Sequence, residues 1–384
     1  MFFKKWLSFL LVVALSLGMM VPLARADDVL DIKGDSAILM DAESGQILYE
    51  KNVDKPLPPA SMTKLMTIIL AVEALKDGRV TLNEKVTASE NAWRLGGSQI
   101  WLEPGETMTF NDMLVAIAVG SANDCCVAVA EHLEGSHEAF VKRMNQKAKD
   151  LGMKNTHYIN AYGLHDDNHY TSARDMATLG RYALTFPDIL KFTTIKEYSL
   201  RSGEFILYNT NKLLWWYEGA DGFKTGWTNQ AKYCLVSTAK RNGLRLIGVV
   251  MASPEPRGNF SDSMAMYNFG FARYAYKSLA NQNTVCGLTK VGKGLTDVVE
   301  AGPMREIGSI IPKGKEEGVT WVYSVASYID APVKKGDRLG EARVMVDDKV
   351  VRKVPLLAMQ HVPRGSVWQT VMKAWNKIFL IDSR

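Results

Sequence analysis

The sequence predicts a mixed α and β domain of enzyme size, a small all-β domain behind it and an amphipathic helix at the end. Three observations carry that prediction. Hairpin patterns stand at both ends of residues 36–251, and helical periodicity fills most of the space between them. After about Ala280, Gly and Lys become frequent and short Val/Ile runs alternate with turns such as Pro312-Lys313-Gly314. Residues 364–384 then place their apolar side chains on one helical face. At 384 residues and 47% hydrophobic, the chain is long enough for two domains with a sizeable core.

Residues 1–26 read as an export signal: Lys4 and Lys5 at the start, an apolar run from Phe9 to Val21, and Ala24-Arg25-Ala26 as a small-residue cleavage site. Gly18 and Pro22 argue against an uncleaved membrane anchor. The formal charge of +5 falls to +2 once Lys4, Lys5 and Arg25 are removed, so nothing calls for a nucleic-acid partner. The four cysteines include the adjacent pair Cys125 and Cys126, with Cys234 and Cys286 each in apolar surroundings. They make no disulfide framework for a domain of this size and read as buried thiols.

Taken in order, Ala37–Met40 and Gln46–Tyr49 flank Glu43-Ser44-Gly45 as a hairpin. Pro58-Pro59 ends that region, and Ser61 opens a helix because Leu65, Met66, Ile69, Leu70, Val72 and Leu75 follow at helical spacing. Gly78 stops it. Residues 81–105, with Gly96-Gly97, two tryptophans and Pro104, read as a long surface loop. Helices are expected over 110–118 (capped by Asn111 or Asp112), over 123–135, over 137–151 and over 172–184. Tyr233–Ala239 and Leu244–Met251 form a hairpin about Arg241-Asn242-Gly243, and a helix over 262–276 closes the larger domain. The domain boundaries read as 1–26, 27–279, 280–362 and 363–384.

Three short patterns carry chemistry. In Ser61-x-x-Lys64 the spacing places hydroxyl and amine on one helical face, and a partly desolvated lysine can activate a serine. Ser121-x-Asn123 stands at a helix start, where side chains project into a cleft or simply cap the helix. Lys224-Thr225-Gly226 suits an edge strand whose backbone a ligand can approach, with Gly226 removing an obstructing side chain. His165 and His169 have the spacing of a zinc pair on a helix, but Gly163 and Asp166-Asp167-Asn168 put them in a loop where that spacing has no meaning. No metal or other cofactor is expected.

In the last stretch Val367, Trp368, Val371, Met372, Trp375, Ile378 and Phe379 share one face, opposite Gln369, Lys373, Asn376 and Lys377. That pattern fits a helix lying in a membrane interface, not one that spans it.

Together, Ser61-x-x-Lys64, Ser121-Ala122-Asn123-Asp124 and Asp221-Gly222-Phe223-Lys224-Thr225-Gly226 resemble the motifs of β-lactamases and penicillin-binding proteins. With the β domain and amphipathic tail, essentially the whole mature chain resembles the low-molecular-mass penicillin-binding proteins that are serine-type D-alanyl-D-alanine carboxypeptidases. The resemblance implies a central antiparallel sheet between helical layers. It implies an exported enzyme at the outer face of the cytoplasmic membrane, acting on peptidoglycan stem peptides that end in D-Ala-D-Ala and inhibited by β-lactams. By the same resemblance Ser61 is the nucleophile, Lys64 its base, and Ser121 relays a proton to the leaving amine. Asn123 would hold the substrate amide. Lys224, Thr225 and Gly226, with Arg257, would form the carboxylate end, and the Ser61 and Trp227 N–H groups the oxyanion hole. His169 falls near the cleft without a catalytic role. A β-lactamase is one alternative, although residues 157–174 lack the glutamate that would activate a deacylating water. A catalytically inactive wall-binding module is the other.

Overall fold

A computed structural model describes residues 30–366 together with 368, 369 and 371. The export signal expected over 1–26 and most of the tail helix lie outside the described residues. The chain divides into units Met1–Asp31 and Ile32–Arg384, and every element below belongs to the second.

Five antiparallel strands form the central sheet, in the spatial order Ile47–Lys51, Ser36–Asp41, Leu244–Ser253, Lys232–Arg241 and Ala220–Thr228. The Ala220–Thr228 strand is therefore an edge, as its Gly content suggests. The Lys232–Ser253 hairpin turns through Asn242 and Gly243 with φ of 47° and 83°, the left-handed pair that a two-residue hairpin needs. Both faces of the sheet are covered. Successive residues of a strand point to opposite faces, and Ile247 meets Gly180 of the Ala173–Ala183 helix while Gly248 meets Tyr267 of the Gly258–Arg273 helix. All of Ser36–Asp41 is buried for the same reason.

The Lys64–Lys76 helix shows little amphipathicity because it is enclosed, with every residue from Lys64 to Ala74 buried. A 3-10 turn, Ala60–Thr63, leads into it. Ser61 thus sits one turn ahead of the α-helix it was expected to open.

Residues 81–105 are not one loop. Lys85–Thr87 pairs with Thr107–Thr109, a short helix spans Glu90–Trp93 with Ser89 as its cap, and Ile100 and Leu102 are buried. These strands hold three residues each, too few for alternation to show, and only their pairing reveals them. The next helix begins at Phe110 with Thr109 as its cap, whose hydroxyl accepts the Asp112 N–H at 3.0 Å, in place of Asn111 or Asp112. The last helix of this region starts at Gly258, and the chain becomes a strand at Tyr274–Ala280 because Ile307–Pro312 pairs with it. All four cysteines are free and buried.

Beyond Ala280 a six-stranded sheet runs in the order Val319–Val325, Arg338–Val346, Lys349–Ala358, Val298–Gly302, Gly287–Gly292 and Tyr328–Asp330. It carries its own apolar clusters, around Leu356 and around Val299. The Glu43–Arg352 ion pair ties it to the tip of the first hairpin. At the end of the described chain, Ser366 N–H donates to Gln369 Oε1 at 2.8 Å and Gln369 N–H to Ser366 Oγ at 3.2 Å. That reciprocal pair is a helix-starting capping box. Among the described residues no helix is long and apolar enough to cross a membrane.

Candidate active site

The site is assembled where the Ala60–Thr63 turn, the start of the Asn123–Glu134 helix and the edge strand Ala220–Thr228 converge. Gly226 makes the convergence possible. A Cβ there would stand 2.7 Å from Pro59 O and 3.0 Å from Met62 N, so only glycine lets the edge strand approach the Ser61 turn.

Lys64 is fully buried, and its Nζ has three neighbours in hydrogen-bonding range: Ser61 Oγ at 2.8 Å, Asn123 Oδ1 at 2.7 Å and Tyr162 O at 2.6 Å. Two of these can only accept. A neutral amine has two N–H donors and one lone pair, so donation to Asn123 and Tyr162 leaves the lone pair facing the Ser61 hydroxyl. Burial pushes the Lys64 pKa down to about 8, against a smaller upward pull from Cys126 and Asp124. The amine is therefore available as a base near neutral pH.

Asn123 is fixed from both sides. Its Nδ2 donates to Gly96 O at 2.6 Å and its backbone N–H to Ser98 O at 2.7 Å, which determines that Oδ1 faces Lys64. Tyr162 O is aimed by a tight turn in which Asn160 Oδ1 accepts the Tyr162 and Gly163 N–H groups. Gly163 has φ of 91°, and a Cβ on it would fall 1.9 Å from Ala60 O. His137 stacks on the Tyr162 ring and accepts the Ala161 N–H at 3.2 Å.

Ser121 is buried and left-handed (φ 63°, ψ 32°), between a π turn at Ala116–Gly120 and the helix that follows. Ala122 is the N-cap position, so the Ser121 hydroxyl is not spent on capping. Lys224 is also buried. Its pKa is lowered to about 7, first by burial and then by the Lys64 charge, with Cys126 opposing. Its Nζ has only long bonds, to Thr225 O at 3.3 Å and Thr210 Oγ1 at 3.5 Å. Thr210 also meets Thr225 Oγ1 at 2.7 Å and donates its N–H to Val119 O at 3.3 Å. It thereby joins the Lys-Thr-Gly strand to the turn before Ser121. No motif points to Thr210. The visible signal is the polar run Asn209–Lys212 between apolar residues, in which Asn209 and Asn211 are fully buried and hydrogen-bonded to Ile195 O and Gly222 O.

Trp227 is 55% exposed on the edge strand. Arg257 is exposed at a left-handed position (φ 66°) just before the Gly258–Arg273 helix, with its guanidinium 5.6 Å from the Trp216 ring. His169 is buried, and both ring nitrogens are occupied: Nδ1 accepts the Ile159 N–H at 3.1 Å, so the proton lies on Nε2, 2.8 Å from Thr63 Oγ1. Burial lowers its pKa to about 4, which keeps it neutral. It supports the turn that carries Ser61.

Comparison with known proteins points to one family. The family profile described as D-alanyl-D-alanine carboxypeptidase matches residues 23–255, and the one described as penicillin-binding protein 5, C-terminal domain, matches residues 274–364. The chain is 40% identical over 349 residues to D-alanyl-D-alanine carboxypeptidase DacF of Bacillus subtilis (strain 168), covering 89% of this chain and 90% of that one. It is 32% identical over 366 residues to DacA of Escherichia coli (strain K12), covering 91% of each. Among solved structures, penicillin binding protein 5 from Haemophilus influenzae has a TM-score of 0.69 at 33% identity, covering 87% of this chain and 98% of that one. Penicillin-Binding Protein D2 from Listeria monocytogenes, solved in an ampicillin-bound form, has a TM-score of 0.58 at 32% identity, covering 63% of this chain and 99% of that one.

Proposed function

We propose that this chain, which belongs to the D-alanyl-D-alanine carboxypeptidase family, removes the terminal D-alanine of peptidoglycan stem peptides through an acyl-enzyme on Ser61. The observation that carries the mechanism is the hydrogen-bond set of Lys64, whose lone pair is left facing Ser61 Oγ. Lys64 takes the hydroxyl proton as Oγ attacks the carbonyl of the penultimate D-alanine. The Ser61 and Trp227 N–H groups receive the oxyanion, a donor pair of the kind whose loss costs about 100- to 1,000-fold in rate. The C–N bond then breaks, and the proton that Lys64 took passes through Ser121 to the departing amine of D-alanine, which leaves Lys64 neutral again.

Asn123 holds the substrate amide. The terminal carboxylate belongs beside Lys224 and Thr225 at the Gly226 edge, since a buried ammonium with only long bonds gains most from an anion. Arg257 stands at the same end of the sheet as Trp227 and adds positive charge to the approach. Water entering the space vacated by D-alanine hydrolyses the ester.

A division into a larger and a smaller domain is supported by the separate apolar clusters of the second part, but the Tyr274–Ala280 strand pairs with Ile307–Pro312, which moves the boundary from 279/280 to before Tyr274. Residues 1–26 act as an export signal. Beyond Ser366, three residues later than the expected start at 363 because Arg364 still bridges to Gly294, the tail forms an amphipathic helix on the outer face of the cytoplasmic membrane, supported by the Ser366–Gln369 box and by Trp368 and Val371, both exposed.

Intact-protein mass spectrometry tests the reading. A D-Ala-D-Ala peptide should be turned over repeatedly, while penicillin should leave a Ser61 adduct that persists for minutes, because its leaving amine stays tethered and no glutamate stands in residues 157–174 to activate water. Repeated penicillin hydrolysis at the peptide rate would instead assign a β-lactamase. Absence of both reactions would assign an inactive module.

A further inference from the structure

The loop that brings Gly96 and Ser98 to Asn123 also carries two tryptophans that the chemistry above does not use. Trp93 is 51% exposed and Trp101 66% exposed. With Arg94, Leu95, Gln99 and Glu103 they line a pocket of about 490 Å³. The same loop reaches the site between Leu95 and Gln99, where a Cβ on Gly97 would stand 2.8 Å from Asn123 Nδ2.

Trp101 is held in the left-handed region at φ 61°, which strains a bulky L-residue. Its surroundings impose that conformation. The buried Asp124 carboxylate accepts the Ile100 and Leu102 N–H groups, each at 3.1 Å. Arg201, paired to Glu106 at 2.9 Å, donates to Ile100 O at 2.8 Å and to Trp101 O at 3.3 Å. The flanking Ile100 and Leu102 side chains are buried, and the indole between them is directed into water. A strained, over-determined backbone that displays an aromatic ring is a mark of binding, not of packing.

We propose that the Trp93–Trp101 pocket binds a neutral pyranose, an N-acetylated amino sugar of the strand from which the stem peptide hangs. The inference rests on the carboxypeptidase reading for its substrate. A pyranose offers one face of C–H groups to an aromatic plane and a rim of hydroxyl and amide groups to polar side chains. Trp93 and Trp101 supply the apolar surface, and Gln99, Arg94 and Glu103 the polar rim. The charge pattern argues against an anionic lipid surface. Arg94 is paired to Glu90 at 2.6 Å, and Glu103 and Glu106 stand close by.

The test compares the mature full chain with Trp93→Ala and with Trp101→Asn, a residue that tolerates the left-handed backbone. Two readouts are needed: tryptophan fluorescence on titration with the N-acetylglucosamine tetramer, and kcat/KM for a disaccharide-pentapeptide divided by kcat/KM for the same pentapeptide without sugar. The tetramer should change the fluorescence of the parent chain. The ratio should be about five or more in the parent chain and fall towards one in each variant. A ratio unmoved in both variants overturns the proposal, as does a parent chain that gives no response to the tetramer. Binding to anionic vesicles that is lost in the variants while the ratio holds would assign the tryptophans to lipid instead. Should Trp101→Asn fail to fold, Trp93→Ala decides alone. If the parent chain cleaves neither peptide, the carboxypeptidase reading fails, and the fluorescence titration still decides sugar binding.

Discussion

Lys64 Nζ lies 2.8 Å from Ser61 Oγ across the junction between a 3-10 turn and the helix it leads into. The remaining bonds of the amine, to Asn123 Oδ1 and Tyr162 O, aim its lone pair at that hydroxyl. Both acceptors come from other parts of the chain, so the base is positioned by the fold as much as by its helix.

Acylation by penicillin should therefore follow the neutral fraction of Lys64. With the pKa lowered from 10.5 to about 8, the rate should rise about tenfold per pH unit below 8 and level off above it. Lys64→Arg keeps the charge and removes the base, and should slow acylation at pH 7 by about 100-fold or more. Ser61→Ala should take up no label at all. Stopped-flow acylation and adduct mapping check these outcomes, and a flat pH profile in the parent chain would remove Lys64 as the base.

Lys224 should cost the empty enzyme stability. Its pKa in the folded state is about 7 against 10.5 for an unburied lysine, so the unfolded chain binds the extra proton between those values. Stability then rises with pH through that window, and the cost is present in full below it. Lys224→Met should reduce the gain in unfolding free energy between pH 7 and 9 by about 2 kcal/mol. The same variant should lose affinity for substrates with a free carboxylate. Urea unfolding at the two pH values measures the first effect, and KM for peptide the second.

Gly163→Ala should be among the most damaging single-methyl changes near the site. The residue sits at φ 91°, and the new Cβ would meet Ala60 O, adjacent to the nucleophile, at 1.9 Å. Backbone strain alone costs on the order of 1–3 kcal/mol, and relief of the clash has to move Tyr162 O or the Ser61 turn. Both the melting temperature and the acylation rate should fall. A variant with full acylation would show that the turn yields elsewhere.

Truncation before Arg364 should leave peptide cleavage intact and release the protein from anionic liposomes in a sedimentation assay. Equal pelleting of the mature full-length and truncated proteins would show that the tail is not the anchor.

Local spacing carried a good part of this protein. The three-residue step from Ser61 to Lys64, the glycine that strips the edge strand, the Asn242-Gly243 turn and the change of composition near Ala280 are all effects of neighbours in sequence. They are legible because helix, strand and turn geometry act over a few residues. Tertiary structure decided what those local rules do not reach. It paired Lys85–Thr87 with Thr107–Thr109 and made residues 274–276, expected as the end of a helix, the start of the Tyr274–Ala280 strand. It also brought Thr210 between Thr225 and Val119, and set Tyr162 O against Lys64, 98 residues away in sequence. The pKa values of Lys64 and Lys224 belong to this second group. They come from burial and, for Lys224, from the nearby Lys64 charge, and neither is a property of a residue or its neighbours in the chain.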